Sequence, residues 1–121
     1  MKKVVIICSF EHLPSVIEKE LYRAYGTKYW VEIANTSKSL DMVIAKAVDA
    51  IPDIVFFFNE PKGTCNFCMD KINSLSKRGD EIEYFAQLAE DSKRADPLDP
   101  KIIPISEITD FGEILLQKKT A

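Results

Sequence analysis

Short apolar runs alternate with longer stretches in which apolar side chains recur every three or four residues. Residues 4–8, 29–34 and 54–58 form runs rich in β-branched and aromatic side chains, and these runs have the length usual for buried strands. Residues 13–24 and 40–51 carry apolar side chains at the spacing of one helix face, with charged side chains between them. The first half of the chain therefore predicts three strands alternating with two amphipathic helices.

The alternation continues with less regularity in the second half of the chain. A helix is predicted over residues 66–77, after a loop at residues 59–65, and its apolar positions include Phe67 and Leu75. Residues 82–86 ("IEYFA") predict either a fourth strand or the start of another helix, because so short an apolar run fits both. The pattern alone thus leaves the fourth strand open.

Prolines limit the helices and strands that can be predicted in the last part of the chain. The polar segment at residues 90–100 contains two of them and predicts a short helix at most, followed by a loop. Pro104 lies inside the short apolar run at residues 102–105, which indicates an edge strand or a strand end. A final amphipathic helix is predicted to begin at Ser106.

Strands that alternate with helices along one chain form a parallel sheet with helices on both faces. We therefore expect a three-layer α/β fold, a doubly wound parallel sheet in a single domain that spans residues 1–121. In such sheets, functional groups lie at the carboxyl ends of the strands. The segments of interest are residues 8–12, residues 58–68, residues 87–88 and Ser106.

Composition narrows the classes of function. The 121 residues carry a net charge of −3 and show no basic face for neutralising phosphates, which argues against nucleic-acid binding. The longest apolar runs have five residues, whereas a membrane-spanning helix needs about 20. The apolar stretch after Lys2 and Lys3 is also too short for a secretory signal peptide, so we expect a cytoplasmic protein that does not bind membranes. The sequence leaves a homodimer open as one form of assembly.

Four stretches of the chain together resemble the receiver domain of two-component response regulators. "KKVVII" is similar to the first strand of a receiver, and "EIANTSKSLDMV" to the passage from its second strand into its second helix. "IPDIVFFFNEP" resembles the third strand with its proline turn, and "IPISEITDFGEILLQ" resembles the fifth strand, its proline and the last helix. The resemblance covers the whole chain and implies a flavodoxin-like fold with strand order 2-1-3-4-5.

The residues that a receiver uses for phosphoryl transfer do not carry over. Receivers use a pair of acids after the first strand, an aspartate after the third, a threonine or serine after the fourth and a lysine before the last proline. In the same order, the corresponding residues here are Cys8 and Ser9, Phe58 or Asn59, Gln87, and Ile103. Glu11 and Glu60 are the oxygen ligands that remain nearby for magnesium. The resemblance thus implies a pseudo-receiver that is not an enzyme, needs no cofactor and acts as a signalling module through a protein partner.

The motif "CNFC", at Cys65 and Cys68, offers a different chemistry. At the start of a helix, backbone N–H groups stabilise a thiolate, and this is how such pairs become redox-active. Cys8 and His12 follow the first strand, which neighbours the third in a receiver-like sheet, so we expect all three cysteines and the histidine over one edge. A Cys₃His set is a recognised zinc shell, which makes zinc the candidate cofactor of this thiol-redox or metal alternative. The competing interpretation buries Cys8 and uses Phe67 as a core anchor.

Cys8 at the end of the first strand also invites comparison with phosphotransferase-system IIB domains, which carry a phosphorylated cysteine there. Those domains cradle the phosphate in a loop of small residues and backbone N–H groups. Here the loop reads "SFEHLPS", with no glycine and no basic residue. A phosphocysteine carrier remains a further alternative.

Overall fold

Strands and helices follow one another in the predicted alternation. The computed structural model describes residues 1–89 and 97–120, and its elements are β1 (Lys2–Cys8), α1 (Ser15–Tyr25), β2 (Tyr29–Asn35), α2 (Leu40–Ala50), β3 (Ile54–Glu60), α3 (Lys62–Leu75), β4 (Glu83–Leu88), β5 (Ile102–Pro104) and α4 (Ile108–Thr120). A 3₁₀ turn, Gly79–Glu81, lies between α3 and β4. None of the helices in this described part has the length and apolar content needed to cross a membrane.

The five strands form one sheet in which every neighbouring pair is parallel. Its order is β2-β1-β3-β4-β5, which confirms the predicted doubly wound α/β fold. β1 lies between β2 and β3, with Ile6 aligned to Ile33 on one side and to Phe56 on the other. The strand order reverses between β1 and β3, and in doubly wound sheets ligands bind in the crevice beyond the carboxyl ends of the strands at such a point.

Alternate side chains of the strands enter two separate cores. Ile6, Phe56 and Phe85 pack in the core under α1 and α4. Ile7 and Phe57, one residue further along their strands, pack in the core under α2 and α3. Both faces of the central strands are therefore buried, which explains why their sequences are continuously apolar.

Helix α3 begins earlier than the sequence predicts. It starts at Lys62, inside the segment predicted as a loop, so that prediction is wrong. Pro61 supplies a φ of −66° directly before the helix, a value that already suits helical backbone. Its carbonyl oxygen accepts the Cys65 N–H at 3.1 Å, which closes the first turn.

The core-facing stripe of α3 also differs from the prediction. Phe67 and Leu75 are exposed, so their assignment to the core is wrong. Phe67 falls outside the positions that share the buried face at intervals of three and four residues. Leu75 keeps that spacing, three residues after Ile72, but it is the last residue of the helix. The side chains of α3 that do occupy the buried face are Cys65, Cys68, Met69 and Ile72.

The structure shows that the fourth strand, which the sequence left undecided between a strand and a helix, does form. Residues 83–86 of that run belong to β4, in which Tyr84 aligns with Val55 of β3 and with Ile102 of β5. Pro104 ends β5 at the edge of the sheet, where its missing N–H removes no central ladder bond, as predicted. The short helix predicted before β5 falls mainly on residues 90–96, outside the described residues.

Candidate functional site at the carboxyl ends of the strands

The third strand ends in a bulge that brings Glu60 into the protein. Asn59 has a φ of 58°, in the left-handed region that asparagine tolerates better than most residues. The pairing of β3 with β4 skips this residue, so that Phe58 aligns with Gln87 and Glu60 with Leu88. A bulge of this kind re-aims the side chain that follows it. As a result, Asn59 faces solvent and Glu60 is only 6% exposed.

The buried Glu60 carboxyl group joins the ends of three strands. It is hydrogen-bonded to the side chain of Thr36, which directly follows β2. The backbone N–H of Thr36 donates to the carbonyl oxygen of Cys8, the last residue of β1, at 2.8 Å. Burial raises the pKa of Glu60, and the hydrogen bond with Thr36 offsets only part of that rise. The folded protein therefore favours the neutral acid more than water does.

Replacing Glu60 with glutamine is expected to stabilise the protein at neutral pH. Because the pKa of Glu60 is raised in the folded state, the unfolded chain ionises first as the pH rises above the ordinary value of 4.5, and folding stability falls through that interval. Glutamine keeps an acceptor for Thr36 and removes this loss. Urea unfolding at a series of pH values should show the variant more stable at neutral pH, with the difference shrinking below about pH 4.

The matched control for this variant is Glu11→Gln. Glu11 is an exposed carboxyl group at the same edge of the sheet, so its neutralisation should leave the pH profile of the unfolding free energy unchanged. If Glu60→Gln were instead less stable than the wild type at neutral pH, the fold would prefer the charged carboxylate and burial would not dominate its pKa.

The structure separates the three cysteines instead of gathering them over one edge. Cys8 belongs to the core under α1 and α4, and its Sγ donates to the Phe10 carbonyl oxygen at 3.7 Å. Cys65 and Cys68 belong to the opposite core, and His12 is exposed. The expected cluster is therefore wrong, because side chains of β1 alternate between faces and Cys8 takes the other one. Within residues 1–89 and 97–120, no three or more histidine, cysteine or acidic side chains are grouped so that they could hold a metal ion.

The two thiols of the CNFC motif are poorly placed to ionise. Burial, followed by the nearby Glu60 carboxylate, raises the pKa of Cys65 to about 12 and that of Cys68 to about 11. Because α3 begins at Lys62, these cysteines are the fourth and seventh residues of the helix, and the field of a helix N-terminus fades beyond the first turn. The expectation of a stabilised thiolate is therefore wrong.

All three cysteines are expected to react slowly with iodoacetamide in the folded protein at neutral pH. Each is buried as a free thiol, and burial raises the pKa of each, so the reactive thiolate is scarce and shielded. Intact mass should show unmodified chain after brief native alkylation and three added groups after alkylation in guanidinium chloride. Fast native labelling at Cys65 or Cys68 would contradict this geometry, and a native mass raised by one metal ion would support the zinc hypothesis.

The remaining receiver-type positions do not converge on one cluster. Gln87 donates from Nε2 to the Ser106 carbonyl oxygen at 3.1 Å and thereby links the end of β4 to the loop before α4. Ile103 lies in the edge strand β5 and packs against the core under α1 and α4. Ser9 is exposed in the loop after β1. Of the two residues that the resemblance assigns to the position of a receiver's aspartate, Phe58 is half-buried and Asn59 is exposed.

An apolar hollow lies beyond the carboxyl ends of β1 and β3, beside the loop that follows β1. We call it the switch-point hollow; its volume is about 510 Å³, and it is lined by Phe10, Glu11, His12, Leu13, Pro14 and Phe58. The ring centroids of Phe10 and Phe58 are 5.9 Å apart, and Phe58 also lies 6.2 Å from Phe56 in the core. Aromatic side chains, bordered by polar ones, therefore line the surface where the strand order of the sheet reverses.

Phe10 and Thr36 are not among the residues that the sequence singles out, although Phe10 lies in the segment of interest at residues 8–12. Phe10 is a large apolar residue in an otherwise polar loop, and that contrast is the signal that could have selected it. Thr36 stands in the turn after β2, and its link to Glu60 depends on the bulge at Asn59, which no sequence pattern announces.

Comparison with known proteins does not assign a family or a function to this site. No family model matches the chain, and neither a curated protein nor a solved structure matches it. The sheet and its order define the class of the protein as a flavodoxin-like α/β domain. Any statement about function therefore rests on the residues at the carboxyl edge of this sheet.

Proposed function

We propose that the chain is a receiver-like signalling domain without a phospho-acceptor, which acts through contacts with a protein partner. The observation that supports this best is Phe58, an aromatic residue at the carboxyl end of β3, packed 5.9 Å from the ring of Phe10. The resemblance places a receiver's aspartate here or at the next residue, Asn59, and neither side chain is a carboxylate. The sheet order is also the one that the resemblance implies.

The electrostatics of this edge argue against phosphoryl transfer. A phospho-accepting carboxyl group must be ionised, and the magnesium ion beside it needs several oxygen ligands. Asn59 offers an amide, and burial raises the pKa of Glu60 and so disfavours its carboxylate form. Glu11 lies on the exposed loop after β1. A surface that binds another protein requires none of these ionised groups, and this supports a binding role.

The proposal is tested by incubating the protein with radiolabelled acetyl phosphate and magnesium, with an intact receiver domain as the positive control. We expect no label above that of the heat-denatured protein. Label on Glu60 or Glu11, located by peptide mass spectrometry, would overturn the proposal. Label that is lost in the Cys8→Ser variant would instead support the phosphocysteine carrier.

A further inference from the structure

The two edges of the sheet are protected to different degrees. β5, at one edge, has three residues and ends in Pro104, and both its shortness and its proline discourage a further strand from pairing there. β2, at the other edge, has seven residues, reads "YWVEIAN" and contains neither proline nor glycine. It pairs with β1 over its whole length without a bulge. The edge of β2 is therefore long, regular and rich in β-branched and aromatic side chains, and such an edge favours the addition of another strand.

The hydrogen bonds of β2 show which of its backbone groups point away from β1. The Lys28 carbonyl oxygen, just before β2, accepts the Lys2 N–H at 3.2 Å. The Thr36 N–H, just after β2, donates to the Cys8 carbonyl oxygen at 2.8 Å. Because successive residues of a strand direct their N–H and C=O groups to opposite sides, the even-numbered residues of β2 bond to β1. The residues whose backbone groups point outward are Tyr29, Val31, Ile33 and Asn35.

One of these outward groups is already occupied by a lysine from α2. Lys46 Nζ donates to the Ile33 carbonyl oxygen at 2.6 Å and lies 3.5 Å from a carboxylate oxygen of Glu32. Within residues 1–89 and 97–120, no other outward N–H or C=O group of Tyr29, Val31 or Ile33 has a hydrogen-bond partner. The outer edge of β2 thus consists of open backbone groups with one acceptor blocked by an ammonium group.

We propose that the outer edge of β2 pairs with β2 of a second copy of this chain, and that Lys46 opposes this pairing by occupying the Ile33 carbonyl oxygen. An added strand needs that oxygen as an acceptor, so the ammonium group must leave before the two strands can pair fully. Its departure breaks a charge-assisted hydrogen bond, which is stronger than the neutral backbone bond that replaces it. We therefore expect the wild-type protein to be mainly monomeric, with Lys46 as the group that keeps it so.

Symmetry and charge favour a second copy as the added strand. Two β2 strands can pair antiparallel about a two-fold axis at Val31, so that the outward groups of one strand meet those of the other. Tyr29 then lies opposite Ile33 of the second copy and donates to the oxygen that Lys46 holds in the monomer. Trp30, which is 40% exposed, lies opposite Glu32 of the second copy. An axis at Glu32 would instead oppose two carboxylates directly, which is unfavourable.

The test compares Lys46→Met with the wild type by sedimentation velocity over a series of protein concentrations. Methionine keeps an unbranched side chain but cannot donate to Ile33, so the variant should dimerise at concentrations at least about tenfold lower than the wild type does. The matched control is Lys38→Met, which changes an exposed lysine in the turn before α2 and alters the net charge equally. Lys38→Met should associate no more than the wild type.

A proline substitution tests whether the dimer uses the outer edge of β2. Added to Lys46→Met, the change Val31→Pro removes an N–H that points outward and leaves the bonds with β1 in place, which an edge strand tolerates. The double variant should return to the monomer. Glu32→Pro is the control for the direction of these groups, because it removes an N–H that bonds to β1. Thermal unfolding should show a larger loss of stability for Glu32→Pro than for Val31→Pro.

Amide hydrogen exchange followed by NMR tests the same edge without altering the strand, and it serves if Val31→Pro does not fold. In the wild type, the odd-numbered amides of β2 should exchange quickly and the even-numbered amides slowly. In dimeric Lys46→Met, the odd-numbered amides should gain protection. A dimer without this gain would overturn the proposal, as would a Lys46→Met variant that associates no more than the wild type or Lys38→Met. A wild type already dimeric through β2 would show that Lys46 does not oppose pairing. These outcomes are independent of the phosphoryl-labelling test of the proposed function.

Discussion

Replacing Phe111 with alanine is expected to lower the free energy of unfolding by about 3–5 kcal/mol, a large part of the ~5–15 kcal/mol that holds a typical domain together. Phe111 is fully buried on α4, and its ring lies 4.5 Å from that of Phe56 and 5.1 Å from that of Phe85. Alanine would leave a cavity between α4 and two central strands, and it would also remove both ring pairs. Urea unfolding followed by circular dichroism measures the loss.

Phe67→Ala provides the matched control, because it deletes the same side chain from a position that is 45% exposed. Its cost should stay below about 1 kcal/mol. If Phe111→Ala cost no more than this control, α4 would not be packed on the sheet as the structure has it. The comparison also bears on the site, since Phe111 supports Phe56, and Phe56 in turn supports Phe58 at the switch-point hollow.

The sheet was predictable because each central strand is buried on both faces. A run such as "VVII" or "IVFFF" has few alternatives to a buried strand when a stretch of helical period follows it along the chain. The order of the strands came from the receiver resemblance. The fourth strand stayed open because "IEYFA" is too short to separate the two periods, and pairing with β3 and β5 decides it.

The sequence predicted which residues lie at the site, but it did not predict how their side chains are arranged there. Strand ends pointed to Cys8, Phe58 and Glu60, and all three do lie at the carboxyl edge of the sheet. Which face each side chain takes depends on the register and on the bulge at Asn59. The cysteine cluster failed for this reason, since an offset of one residue along a strand moves a side chain to the opposite core.

The start of α3 was also not predictable, because the composition of the segment before it fits both a loop and the beginning of a helix. "NEPKGTC" has the composition of a loop, with Pro61 and Gly63 close together. A proline directly before a helix, however, is as favourable as one in a turn. This difference changes the chemistry expected of Cys65. The sequence placed its thiol at a helix N-terminus, whereas the structure places it in the core.

Replacing Gly79 with alanine is expected to destabilise the protein by about 3 kcal/mol or more, at the upper end of overpacking effects. Gly79 is buried at the start of the 3₁₀ turn between α3 and β4. A Cβ atom there would lie 2.0 Å from the backbone carbonyl oxygen of Asn73, a distance that real contacts do not reach. Because the obstacle is backbone in the last turns of α3, relief requires that the helix end or the turn move. Urea unfolding measures the loss.

The matched control is Gly63→Ala, in the first turn of α3, where an added Cβ meets no atom within 4 Å. It should be neutral or stabilise the protein by up to about 1 kcal/mol, because alanine suits a helix better than glycine. Equal stability of the two variants would mean that the turn before β4 is loosely packed. A selective loss at Gly79 would instead show that the close approach of this turn to the end of α3 is needed for the packed fold.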